Sequence, residues 1–379
     1  MPTTTGDLPA TARASVALPG ATGEVREFEL VPPGPDEGWL EVIASGICGT
    51  DVGLFDAGVA EPTVLGHHVV GRVAALGDGA ARRRGLAVGD RVVLEEYLPC
   101  GHCPTCATGP YRLCPETDVW GGGRRVGTIP AAEPPGLTGG NAEYTFLPAN
   151  AVTHRLPGGL GDALAAWVLP YANAIDWVTG AGALRSGETV VVLGPGYHGL
   201  AVAAAARRSG ARRVVVTGLP RDGRRLAMAE SLGGVPVVTG DPAADAGRIE
   251  AAAGGPVNVV VDTVGADPDV LGPAVQALGH GGRLVLTAPK RPAAAPLDTG
   301  RLIRNGLRVA GVRGRAPEAI AAAIASLADG TAGLGAVPTV EVGLDGTAGM
   351  LARLAAGSGP ESPHVVVRPN PTTRRRAPC

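Results

Sequence analysis

With 379 residues, 45% apolar and 18% charged, the chain is long enough for two domains with a core each and too apolar to be disordered. A formal net charge of -2 supplies no field toward nucleic acid or an anionic membrane. No apolar run approaches the roughly 18 residues that span a bilayer, and Met1 to Ala14 is polar and lacks the apolar core of a secretory signal, so a cytoplasmic protein is expected. Six cysteines are too few for a disulfide scaffold, and four of them cluster, which in a reducing compartment suggests metal ligands. Lys290 is the only lysine; with the Ala and Gly load, the arginine bias reads as genome composition.

From about Val16 to Asn150 the sequence predicts short strands between Gly and Pro punctuation, for example Trp39–Ala44 and Asp90–Leu94, without long helical periodicity. Near Leu160 the character changes to apolar strands alternating with Ala-rich helices, the pattern of a parallel α/β sheet. Strands are expected at Thr189–Leu193, Arg213–Thr217, Val257–Asp262, Arg283–Thr287 and Leu307–Val312. Helices are expected at Leu200–Ser209, Arg224–Leu232 and Pro317–Leu327, the last with Pro in its first turn. The Pro- and Arg-rich tail is expected to be disordered.

Three motifs carry chemistry. Gly46-Ile47-Cys48-Gly49-Thr50-Asp51 and, downstream, Gly66-His67-His68 put one thiolate and one imidazole on separate loops, a beginning for an open catalytic zinc site. Thr50 can pass on a substrate proton, and Asp51 can orient the His67 ring. By themselves Cys48 and His67 fit core packing as well. Cys100, Cys103, Cys106 and Cys114 form C-x2-C-x2-C-x7-C, whose short spacings converge on one tetrahedral Zn²⁺ and leave no position for substrate; His102 reads as a spacer between them.

The third motif follows a strand and opens a helix: Gly194-Pro195-Gly196-Tyr197-His198-Gly199, the dinucleotide-binding pattern G-x-G-x-x-G. Gly194 permits the turn, Gly196 lets backbone N–H groups approach a pyrophosphate, and Gly199 lets helix and strand pack closely. At the end of the next strand, where NAD selection needs Asp or Glu, stands Gly218, with Arg221, Arg224 and Arg225 after it. Guanidinium groups there suit a 2′-phosphate, so NADP(H) is favoured over NAD(H). The alternatives are a solvated arginine face and Asp222 as a displaced ribose ligand.

Together these residues resemble the zinc-containing medium-chain dehydrogenase/reductase superfamily of alcohol, polyol and threonine dehydrogenases, over nearly the whole chain and with the motifs in order. Gly139-Gly140-Asn141-Ala142-Glu143-Tyr144 resembles a family strand closing the catalytic domain. The resemblance implies an α/β protein with a GroES-like β-rich catalytic domain (1–160, zinc lobe about 97–117) and a Rossmann doubly wound parallel sheet (161–313). A segment at 314–370 then returns to the catalytic domain and a tail covers 371–379. It also implies a homodimer or homotetramer paired through the strand near Leu307–Val312.

The family's Glu after Gly-His is here His68. Its third catalytic ligand falls on Leu169, which binds no metal, and the relay histidine of some members falls on Gly53. The expected function is hydride transfer between the nicotinamide and a small alcohol or carbonyl compound. Cys48, Thr50, Asp51, His67 and His68 form the catalytic centre, with Cys48 and His67 as candidate zinc ligands. Gly194, Gly196, Tyr197, His198, Gly199, Gly218, Arg221 and Arg225 form the coenzyme site. Tyr171 and Asn173 are candidates for the pocket or for core packing. A metal-free carbonyl or enoyl reductase of the same superfamily and a non-catalytic nucleotide-binding zinc protein are the alternatives.

Overall fold

Valine-rich runs with no polar face must be covered on both sides, and the computed structural model, which describes residues 8–265, 267–290 and 297–370, gathers them into one parallel sheet. In chain order the strands are β1 (Thr11–Leu18), β2 (Thr22–Glu29), β3 (Gly38–Gly46), β4 (Thr63–Val64), β5 (His68–Leu76), β6 (Arg91–Leu94), β7 (Tyr144–Leu147) and β8 (Thr153–Arg155). Then follow β9 (Thr189–Leu193), β10 (Arg213–Gly218), β11 (Val235–Val238), β12 (Val257–Asp262), β13 (Leu278–Leu286), β14 (Arg308–Gly311), β15 (Val340–Val342) and β16 (Val365–Val367). The expected tail at 371–379 lies outside the described residues.

Two compact units result. One runs through Ala166 and resumes at Thr339–Pro360 and from His364 on; the other is Trp167–Pro338 with Glu361–Pro363. The expectation that the nucleotide-binding domain ends at 313 is corrected. The helix Pro317–Ala328 packs on the helix Val168–Ile175 and so stays with that unit.

The first unit is β-rich. A seven-stranded sheet has the order β15-β16-β3-β5-β6-β8, with β7 also on β3, and a smaller sheet has the order β2-β1-β4. Its helices are short: nine residues at Gly49–Ala57 and seven at Asp78–Arg84, until the twelve-residue Leu344–Ala355. A core cluster joins Ile47, Phe55 and Leu65 to Leu344, Leu351, Val365 and Val367. The C-terminal return therefore supports the two loops that carry Cys48 and His67.

The second unit holds six parallel strands in the order β11-β10-β9-β12-β13-β14. Every residue of β9 is buried, as a strand with helices on both faces requires. The order reverses between β9 and β12. Doubly wound sheets take ligands at the carboxyl ends of the strands flanking such a reversal, which here are Leu193 and Asp262.

Candidate active site

In the first unit, Cys48 leaves β3 as the N-cap of the helix Gly49–Ala57, and Asp51 stands three positions on. Asp51 is fully buried. Its Oδ2 accepts the Cys48 N–H at 2.9 Å, and its Oδ1 accepts the Gly66 N–H at 3.1 Å and faces His67 Nδ1 at 3.0 Å. One carboxylate thus ties both loops together. With Nδ1 directed to Asp51, Nε2 is the His67 nitrogen available to a metal or a proton. Burial pushes the imidazole down, but the Asp51 carboxylate, with Cys48 adding to it, carries its pKa well above the ordinary value.

His68, 2% exposed, opens β5. Its ring centroid is 4.5 Å from that of His67, and one of its nitrogens lies within 4.8 Å of the Cys48 sulfur. Thr50 is exposed, with its hydroxyl 4.0 Å from that sulfur. All five expected catalytic residues therefore share one locality. Gly66 cannot be enlarged, since a Cβ there would lie 2.5 Å from Asn141 Oδ1 and 2.6 Å from Ser45 Oγ.

Four cysteines meet in a lobe of the same unit: the sulfurs of Cys100, Cys103, Cys106 and Cys114 all lie within 4.8 Å of one another. His102 is exposed, with Nδ1 3.0 Å from the Cys100 carbonyl. The crowded thiols compete for protons. The Thr105 hydroxyl draws Cys103 down to about 6, while desolvation pushes Cys106 up to about 12. A thiophilic divalent cation relieves that competition, so the donor set fits Zn²⁺. Tyr111 within the lobe donates to the buried Glu95 carboxylate at 2.6 Å, and His154 Nε2 meets the same oxygen at 2.7 Å.

In the second unit, Gly194 has φ +89°, and a Cβ on Gly199 would sit 1.9 Å from the Gly194 carbonyl oxygen. Gly196 is the N-cap of the helix Tyr197–Arg208 without a side-chain cap, and nothing lies within 4 Å of where its Cβ would be. An open, uncapped, amide-rich helix start is a fit for a pyrophosphate. The side chains of Tyr197 and His198 pack on rings: Tyr197 on Trp167 at 4.7 Å and His198 on Trp177 at 5.1 Å between centroids. Thr263, absent from the sequence expectations, donates its hydroxyl to the Leu193 carbonyl at 2.7 Å beside the turn. Nothing in its sequence context distinguishes it.

Gly218 ends β10 in tight quarters, where a Cβ would lie 3.0 Å from Pro195 Cγ and 3.2 Å from Asp222 Cβ. Asp222 instead accepts the Leu219 N–H at 2.9 Å. The three arginines separate. Arg224 pairs with Glu361 at 2.7 Å, and Arg225 donates to the Glu361 carbonyl at 3.2 Å while lying 4.0 Å from Asp222. Arg221 lines an open cavity of about 730 Å³, together with Thr239, Gly240, Asp241 and Arg248. Arg248 comes from the helix Pro242–Ala253, a juxtaposition that only folding creates.

Leu169, where the family's third ligand falls, is 1% exposed and carries no donor. Tyr171 is fully buried, with its phenol raised by desolvation. Asn173 Oδ1 accepts from Arg315 at 3.1 Å, and its Nδ2 lies 3.4 Å from His198 Nε2.

Two family models match, an alcohol dehydrogenase GroES-like domain over residues 34–158 and a zinc-binding dehydrogenase over residues 199–329. A Mycobacterium tuberculosis protein named "Probable alcohol dehydrogenase adh" is 35% identical, covering 87% of this chain and 91% of its own. An L-threonine 3-dehydrogenase of Idiomarina loihiensis is 32% identical over 73% of this chain and 76% of its own. Among solved structures, 2R,3R-butanediol dehydrogenase from Bacillus subtilis superposes with a TM-score of 0.78 at 25% identity, covering 95% and 100% of the two chains. A Sinorhizobium meliloti protein bound to NADP does so with a TM-score of 0.79 at 25% identity, again covering 95% and 100%.

Proposed function

Given that the chain belongs to the zinc-containing medium-chain dehydrogenase/reductase superfamily and is an NAD(P)-dependent oxidoreductase, we propose that it interconverts a small alcohol and its carbonyl compound at Cys48, Thr50, Asp51, His67 and His68. Cys48 and His67 would hold the catalytic zinc, with His68 or water in place of the missing third ligand. When bound, the zinc supplies a Lewis acid for the substrate oxygen and the nicotinamide accepts or gives the hydride. Thr50, exposed beside the Cys48 sulfur, relays the substrate's hydroxyl proton, accepting it as its own hydroxyl proton passes to water. Asp51 holds the His67 ring by Nδ1, which leaves Nε2 aimed away from the carboxylate.

The observation that carries this reading is the single Asp51 carboxylate binding both ligand loops. Such a carboxylate–histidine arrangement is the usual outer support of a zinc ligand. The test is metal content: two zincs per chain in the unaltered protein and one in Cys48→Ala, with loss of NADPH-dependent aldehyde reduction. One zinc in both, with activity kept, overturns it. Leu169 favours a second reading, a metal-free carbonyl or enoyl reductase in which Thr50, His67 or His68 supplies the proton. Reduction of a carbon–carbon double bond by protein holding one zinc supports that reading. Coenzyme binding without turnover of any substrate supports a non-catalytic role.

The coenzyme rests on Gly194, Gly196 and Gly199, with the backbone of Tyr197 and His198 at the helix start, and the second zinc on Cys100, Cys103, Cys106 and Cys114. NADP(H) is the proposed partner of choice. What supports it is the absence of a carboxylate at Gly218 and the presence of Arg221 and Arg248 on one cavity; Arg225, engaged by Glu361, is set aside. The exposed edge strand β14 is the proposed pairing surface of a homodimer or of a homotetramer built from it. No helix among the described residues is long and apolar enough to cross a membrane, and a cytoplasmic site of action is proposed.

A further inference from the structure

Of the 33 lysines and arginines all but one are arginine, and the exception, Lys290, has a buried side chain. Its side chain is 5% exposed and that of its partner Asp262 is fully buried. Nζ lies 2.8 Å from Asp262 Oδ2 and 3.0 Å from Oδ1, and donates to the Val264 carbonyl at 2.5 Å. The compact ammonium thus hydrogen-bonds Asp262 Oδ1 and the Val264 carbonyl together while keeping Asp262 Oδ2 at ion-pair distance, a point-charge geometry unlike that of a five-donor planar guanidinium. Genome composition does not account for a lone lysine in that setting.

The ammonium closes a three-residue stretch leaving β12, inside which Asp262 Oδ1 also accepts the Val264 N–H at 3.2 Å. That stretch lies against the glycine turn. Thr263 donates its N–H to the Leu193 carbonyl at 3.1 Å, and its hydroxyl is 3.3 Å from the Gly194 carbonyl. Val264 Cγ2 would be 2.8 Å from a Cβ on Gly194, and the Thr263 hydroxyl 3.1 Å from one on Gly199. Buried ion pairs are poor stabilisers beside apolar groups of the same volume, so geometric definition is a better reason to keep one.

We propose that Lys290, acting through Asp262, is a positioning residue for the coenzyme: the pair fixes residues 262–264 against Gly194 and Gly199 and so sets the shape of the turn that receives the dinucleotide. This rests on the reading that the turn binds NAD(P)(H). Removing one partner alone strands a buried charge and can unfold the protein. The informative variant is therefore the neutral pair Lys290→Met with Asp262→Asn, in which the Asn oxygen still accepts the Val264 N–H.

Fluorescence titration with NADPH and with NADH, alongside thermal melting, reads the outcome. The double variant is expected to melt within about 4 °C of the unaltered protein yet to bind both coenzymes on the order of tenfold more weakly, since small misplacements of a preorganised site cost that much or more. Lys290→Arg, which keeps the charge and changes its shape, is expected not to restore affinity. Unchanged affinity in the double variant overturns the proposal. So does a double variant that fails to fold, because the pair then belongs to the core alone. If the unaltered protein binds neither coenzyme, the coenzyme reading falls first and this inference falls with it.

Discussion

The nucleotide-binding unit and the catalytic unit build their sites in opposite ways. In the first, six consecutive residues, Gly194–Gly199, carry the turn, and the strand and helix on either side are local consequences of Val-rich and Ala-rich runs. In the second, Cys48 and His67 arrive on separate loops and depend on a buried carboxylate at Asp51 and on the C-terminal return of Leu344–Ala355 and β16. A local site fails when its backbone is obstructed. An assembled site fails when a support is withdrawn.

Obstruction gives the largest expected effect. Gly199→Ala places a methyl group 1.9 Å from the Gly194 carbonyl oxygen, and close packing leaves neither backbone free to yield. The helix must lift off β9, so NADPH affinity is expected to fall by at least about a hundredfold, a loss of about 3 kcal/mol. Titration checks it, and unaltered binding would show that the helix start is not the pyrophosphate site. Withdrawal of support comes next. Asp51→Asn loses the charge that binds the Cys48 N–H, the Gly66 N–H and the His67 ring. Zinc affinity or turnover is expected to drop about 10- to 100-fold, read as zinc per chain under a chelator and as kcat. The glycine-turn site should not notice this change. A matching loss of NADPH affinity would erase the distinction between the two units.

The same contrast explains what the sequence made legible. The parallel strands, the glycine turn and the four-cysteine lobe are short patterns with one physical meaning each, and each lies where the pattern placed it. The end of the nucleotide-binding unit was not legible. Pro317–Ala328 is an amphipathic helix whose sequence does not say that its partner is Val168–Ile175. Arg225 looked equivalent to Arg221 because adjacent arginines differ only in what the fold brings near them, here Glu361 from far down the chain. Arg248, Thr263 and the Lys290–Asp262 pair were invisible for the same reason: their meaning is tertiary. Leu169 was legible only as a departure from a pattern, and nothing local shows what replaces the missing ligand.

A third prediction tests whether the C-terminal return supports the catalytic unit. His364, fully buried just before β16, has Nδ1 3.0 Å from the Thr339 hydroxyl. Burial, with Arg368 nearby, pushes its pKa down to about 3. The unfolded chain then binds a proton below about 6.5 that the folded one refuses, so stability is lost as pH falls from there toward 3. Near pH 5 that amounts to about 2 kcal/mol relative to neutral pH. Urea melts at both pH values should show this loss in the unaltered protein and its absence in His364→Gln. An equal loss in both would assign the acid sensitivity elsewhere.

The smallest expected effect sharpens the local site from within. Arg221 and Arg248 line one open cavity beyond β10 with Asp241, while Asp222 is turned to the Leu219 N–H. If the cavity receives a 2′-phosphate, Arg221→Ala removes a charge-assisted contact that NADP(H) makes and NAD(H) does not. Because the guanidinium is exposed, the expected cost is modest, about tenfold in the Kd for NADPH, with the Kd for NADH unchanged. An equal change in both constants would mean that Arg221 acts on the adenosine or on the fold. A gain in NADH affinity alone would make the arginine a barrier to the ribose instead of a ligand for phosphate. Only a selective loss assigns the cavity to the extra phosphate, and with it the choice of coenzyme to a side chain at the end of the strand next to the glycine turn.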